Sequence, residues 1–116
     1  MHELSLARAV ADVVASHAAG RRVSRVTLQV GHLRQVVPST LEFCWKVVVD
    51  GTPLAGAEIE IEHVPAVGSC PDCGRLSTLE HPVLVCPACE GRNVVLVSGE
   101  EFLVASMDLV AAGQVA

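Results

Sequence analysis

Two short stretches decide the fold: Cys70-Pro71-Asp72-Cys73 and Cys86-Pro87-Ala88-Cys89. Twelve residues, Gly74 to Val85, lie between them, so the spacing is C-x2-C-x12-C-x2-C. Each C-x2-C turn brings two sulfurs close enough to share one tetrahedral ion, and two facing turns complete an all-sulfur site. Four thiolates suit Zn(II) and leave no open position, so the site reads as structural. Iron in a rubredoxin-like site and a redox dithiol pair use the same residues. Nothing else in the chain suggests electron transfer, and zinc leads. Gly74 and Gly91 follow the two pairs, where a turn needs permissive backbone. Few apolar residues surround the cysteines, so the ion is expected to supply much of the module's folding energy.

Outward from this module the character of the chain changes. Residues 66–92 are rich in Pro, Gly, Cys and short polar pieces, while both flanks show regular periodicity. Upstream, residues 4–19 predict a helix. Leu4, Ala7, Ala11, Val14 and Ala18 keep the i, i+3/i+4 spacing, Leu6, Val10 and Val13 widen the stripe, and Gly20 is a natural stop. Residues 23–31 alternate as a half-buried strand, with Val26, Leu28 and Val30 on one side. Residues 39–50 predict a second helix, opened by a capping box from Ser39 to Glu42, with Leu41, Cys44, Trp45 and Val48 on its apolar face. Residues 57–64 form a strand with Glu58, Glu60 and Glu62 outward and Ala57, Ile59, Ile61 and His63 inward. The plain reading of the three glutamates is a solvated strand face.

Downstream, Val94–Val97 restarts an apolar run, and Phe102–Val110 reads as a last strand, apolar on both faces and therefore central. Ala111–Ala116 reads as a loose tail. The element order predicts an α+β fold, with a zinc-ribbon-like four-cysteine module set into a small two-helix domain. The module takes residues 67–97; the domain takes 1–66 and 98–116.

Composition excludes several classes. The 116 residues carry 8 Lys plus Arg against 13 Asp plus Glu, a formal charge of −5, which is the wrong sign for a nucleic-acid footprint. At 51% apolar residues the chain is too hydrophobic for disorder. No apolar run approaches the ~20 residues of a membrane span. No basic and apolar leader follows Met1, so a cytoplasmic location is expected, where paired cysteines are more often metal ligands than disulfides. The five cysteines divide into the quartet and Cys44, read as a small buried hydrophobe. No nucleophile–base set or Gly-rich phosphate loop is present, so the chain does not read as an enzyme.

His2 and Glu3 stand before the predicted first helix. Plainly read, Glu3 suits a helix N-terminus. The pair also permits another chemistry. The Met1 amine, two deprotonated backbone amides and the His2 imidazole can lie in one plane, the square-planar four-nitrogen field favoured by Ni(II) and Cu(II).

Together these segments resemble a known family. They are the start Met1-His2-Glu3-Leu4-Ser5 and the run Gly31 to Pro38 with Leu33 and Val36. The stretch Gly51 to Glu58, the two Cys-Pro-x-Cys pairs and the turn Ser98-Gly99-Glu100-Glu101 complete the set. In this order they look like the HypA/HybF family of hydrogenase maturation factors. The resemblance implies a nickel metallochaperone with a mixed three-stranded sheet, its nickel domain built from both ends of the chain. It implies that Ni(II) is cargo, held by His2 through its imidazole and backbone amide and by the Glu3 amide, with the Met1 amine as a further ligand. Cys70, Cys73, Cys86 and Cys89 match the structural Zn(II) ligands. The implied partners are a HypB-type GTPase and the large subunit of [NiFe]-hydrogenase, with urease maturation proteins in some lineages. The protein itself would be a monomer or homodimer. Some members have histidines flanking the cysteine pairs; here the nearest, His63 and His81, adjoin no cysteine and take no ligand role. The competing reading is a zinc-ribbon interaction adaptor without nickel transfer.

Overall fold

The structure, a computed structural model, describes residues 2–110. The Met1 amine and the tail Ala111–Ala116 lie outside them. The order is α1 (His2–Ala18), β1 (Val23–Gly31), a 3-10 turn (His32–Arg34), α2 (Pro38–Val49) and β2 (Glu58–Val64). Then come β3 (Val67–Ser69), β4 (Leu76–Thr78), β5 (Val95–Ser98) and β6 (Phe102–Leu109). The strands form two three-stranded sheets, ordered β2-β1-β6 and β4-β3-β5. The chain divides into two compact units. One comprises the described residues of Met1–Gln29, Val36–Glu62 and Leu103–Ala116; the other comprises Val30–Gln35 and His63–Phe102.

The first sheet is mixed. Between β1 and β6 the numbering runs in opposite senses: Val110 N–H donates to Arg22 O at 2.9 Å and Gly31 N–H to Glu101 O at 2.6 Å. Between β1 and β2 it rises together: Arg25 faces Glu60 at 3.5 Å and Gln29 faces Glu62 at 3.4 Å. That pairing is parallel, as expected when a helix, here α2, connects neighbouring strands. Arg25 also lies 3.7 Å from Glu58. The three glutamates thus form an exposed face partnered by β1.

The core of the first unit joins Ala7, Val10, Val14 and Ala18 of α1 to Val26 and Leu28 of β1 and to Leu41, Trp45 and Val49 of α2. Trp45, the lone tryptophan, is buried, and its Nε1–H donates to Ala57 O at 2.8 Å, which satisfies the ring's polar atom.

Several expectations change. Helix α1 begins at His2, two residues early, because the first turn needs no apolar anchor. Val13 faces outward, so the apolar stripe is narrower than expected. The capping box does not form. Val37 is the N-cap of α2, and Pro38 opens the helix without a side-chain cap. Proline's fixed φ favours that first position, and this shifts Ser39 into the helix. Cys44 is only half-buried, whereas Leu41, Trp45 and Val49 carry the packing. His63 is exposed, not inward. Strand β6 lies at the edge of its sheet and β1 is central. The apolar run of β6 overstated its burial, since Leu103 and Ala105 remain exposed.

The second unit contains two strands, β3 and β4, too short to show a period. β3 pairs antiparallel with β4 (Val67↔Thr78, Ser69↔Leu76) and with β5, where a bulge lies between Val67 and Gly68. Its core is small: Ala66, Cys70, Leu79, Cys86 and Val94, with Leu33 and Leu96 packed against it.

Candidate metal centre

The first cysteine knuckle is the turn of the β3–β4 hairpin. Cys70 N–H donates to Arg75 O at 2.9 Å, and Gly74 N–H donates to Cys70 O at 2.7 Å. The second knuckle repeats the pattern: Cys86 N–H to Gly91 O at 2.9 Å, and Glu90 N–H to Cys86 O at 2.8 Å. Two equivalent turns therefore present two pairs of sulfurs.

The glycines play different parts in the two turns. Gly74 has φ 74°, but the equivalent residue of the second knuckle is Glu90, at φ 62°. Gly91, expected to supply that permissive backbone, instead supplies space. A Cβ there would meet Asp72 Oδ2 at 2.7 Å and Cys89 Sγ at 3.2 Å.

All four sulfurs lie within 4.8 Å of one another. Cys70 Sγ is 3.6 Å from Cys89 Sγ, and Cys73 Sγ is 3.7 Å from Cys86 Sγ. A tetrahedral ion with bonds of about 2.3 Å requires sulfurs about 3.8 Å apart. The quartet therefore fits zinc in both donor type and spacing. Cys70 and Cys86 are buried, while Cys73 and Cys89 are exposed.

Electrostatics divides the quartet. Backbone N–H groups of Cys89 and Ala88 favour the Cys86 thiolate and bring it down to about 7. At Cys89 the Gly91 N–H favours the thiolate, but the crowding of Cys70 and Cys86 sulfurs outweighs it and pushes the thiol up to about 12. Cys73 is also raised: burial and the Cys86 and Cys70 sulfurs overcome the lowering by the Arg75 backbone. Thiolates this close repel one another, and a divalent ion removes that repulsion.

The N-terminal candidates sit elsewhere in the chain. His2 and Glu3 are not in a leading loop but form the first turn of α1. The Glu3 carboxylate accepts the Val37 N–H at 3.2 Å. That bond, with Glu3's own N–H, holds its carboxyl below the usual range. The first four N–H groups of a helix lack intrahelical acceptors. The His2 and Glu3 amides are therefore outside the α1 ladder.

Sequence reasoning missed a further pair. His32, in the 3-10 turn, places Nδ1 3.1 Å from His63 Nε2. Only the alternation of β1 and β2, read as parallel neighbours, could have suggested it.

Among the described residues no helix is long and apolar enough to cross a membrane. Comparison with known proteins agrees with the arrangement. The sequence profile described as "Hydrogenase/urease nickel incorporation, metallochaperone, hypA" matches residues 1–109. The chain is 42% identical over 112 residues to hydrogenase maturation factor HypA of Geobacter sp. (strain M21), covering 94% of this chain and 99% of that one. It is 40% identical over 109 residues to the HypA of Geotalea uraniireducens, with coverage of 94% and 99%. The solution structure of the Ni metallochaperone HypA from Helicobacter pylori superposes with a TM-score of 0.66 at 19% identity, covering 94% of this chain and 97% of that one. With its two helices, mixed sheet and four-cysteine centre, the chain belongs to the HypA family of nickel-incorporation metallochaperones and hydrogenase maturation factors.

Proposed function

We propose that this chain carries Ni(II) as cargo on its first residues and helps insert it into the large subunit of [NiFe]-hydrogenase. The observation that carries this reading is the position of His2 and Glu3 in the first turn of α1. There the backbone amides have no helical partners, and the ion can take them together with the imidazole and the Met1 amine. Amide binding requires proton loss, so nickel affinity falls as pH falls. Capture and release then need no bond-making chemistry in a substrate, and the chain acts as a carrier, not an enzyme.

The division of labour places cargo binding in residues 1–66 and 98–116 and a structural Zn(II) in residues 67–97, held by Cys70, Cys73, Cys86 and Cys89. When bound, zinc supplies charge neutralisation and a fixed crossing point for the two knuckles. The protein works in the cytoplasm with a HypB-type GTPase, and with urease maturation proteins where urease is the acceptor. The test is reconstitution. Nickel-loaded protein should activate apo-hydrogenase large subunit in the presence of the GTPase, and His2→Ala should abolish that activation. Equal activation by both would overturn the carrier reading. The second reading, a zinc-ribbon adaptor, is favoured by Leu76, Val95 and Val97, which stand exposed on β4 and β5.

A further inference from the structure

β1 and β2 are parallel neighbours, so their carboxyl ends lie side by side. Ligand sites in sheets with parallel strands gather at such ends. His32 is the first residue beyond β1, and His63 is the penultimate residue of β2. His32 Nε2–H donates to Glu80 O at 2.7 Å. A carbonyl only accepts, so this bond fixes a proton on Nε2 and leaves Nδ1 as the acceptor nitrogen. Metal-ligating histidines are held in this way, with the second ring nitrogen donating to a carbonyl or carboxylate. Nδ1 faces His63 Nε2 at 3.1 Å, and the rings cross at 89°. His63 is exposed and His32 is half-buried, so an ion can enter from the His63 side and retain water.

We propose that His32 and His63 form a second transition-metal site, for a divalent ion with nitrogen preference such as Ni(II) or Cu(II). An ion about 2.1 Å from both nitrogens would subtend about 95°, the cis angle of a square-planar or octahedral field and narrower than a tetrahedral one. Unloaded, the His63 Nε2–H donates to His32 Nδ1. On loading, that proton moves to His63 Nδ1, and two lone pairs face the ion without net proton release. Water completes the coordination. The site uses neither the cysteines nor His2.

The experiment uses zinc-loaded full-length His2→Ala protein, so that the N-terminal cargo site is silent in every arm. Ni(II) is added by equilibrium dialysis, and histidine ring resonances are followed by NMR. The expected result is one Ni(II) bound, with broadening centred on His32 and His63. His63→Gln in the same background keeps a donor toward His32 and should weaken binding about tenfold or more. Retained zinc confirms that this variant is folded. Absence of Ni(II) binding in His2→Ala, equal affinity after His63→Gln, or broadening centred on His17 or His81 would each overturn the proposal. None of these outcomes bears on the His2 reading.

Discussion

The Glu3 carboxylate accepts the backbone N–H of Val37 at 3.2 Å, so a side chain in the first turn of α1 serves the N-cap residue of α2. Val37 has no side-chain cap of its own. An anion beside a helix N-terminus is also favoured by the macrodipole. The residue next to the proposed cargo ligand therefore holds two helices in register.

Glu3→Gln should remove the charge and lower stability at neutral pH. The folded carboxyl is held below its ordinary 4.5. Its contribution is thus present above that value and lost as pH falls through the lowered one. Thermal melts of the two proteins should differ at pH 7 and converge in acid. A difference that persists in acid would contradict the account.

Cys73→Ser should lose zinc and unfold the second unit. Two of the five residues in that unit's buried core, Cys70 and Cys86, themselves belong to the four-cysteine cluster. Structural zinc contributes roughly 10–16 kcal/mol in small modules. Hydrogen exchange should show residues 63–102 unprotected, while emission from buried Trp45 holds. Retention of one equivalent of zinc would count against it.

Zinc uptake at pH 7 should release protons. Cys73 and Cys89 are raised and so protonated, while Cys86, at about 7, is about half ionised. These three give up more than two protons when an ion binds, and zinc affinity must fall as pH falls. Calorimetry in buffers of different ionisation enthalpy measures the number. Fewer than two would contradict the raised, protonated state of Cys73 and Cys89 in the metal-free quartet.

The two knuckles should respond oppositely to exchange of their special residues. Glu90→Gly relieves a left-handed backbone at φ 62° and should stabilise the second knuckle by about 1 kcal/mol. Gly91→Ala places a Cβ 3.2 Å from Cys89 Sγ and should weaken zinc retention against a chelator. Equal behaviour of both variants would mean that the turns are looser than their hydrogen bonds suggest.

Much of this was legible in the residues. The quartet could be read because C-x2-C spacing constrains the backbone locally, and β1 because its alternation meets a one-sided core. The position of β6 could not, because its apolar run does not say which strand it pairs with. The cap of α2 was misread for a similar reason. Ser39 and Glu42 match a local pattern, but Pro38 and the distant Glu3 decide the outcome. Glu90 in place of a glycine was hidden because the partner knuckle has Gly74 at that position. The His32–His63 contact depends on two strand ends meeting, which no local spacing encodes.

The central claim is that cargo nickel is held by the chain's first residues through a free amine and backbone amides. Calorimetric titration of Ni(II) into zinc-loaded protein tests it most directly, comparing the native N-terminus with a form carrying one extra residue before Met1. The account predicts tight binding by the first and its loss in the second, with zinc content and Trp45 emission unchanged. Equal affinity in the two forms would contradict it.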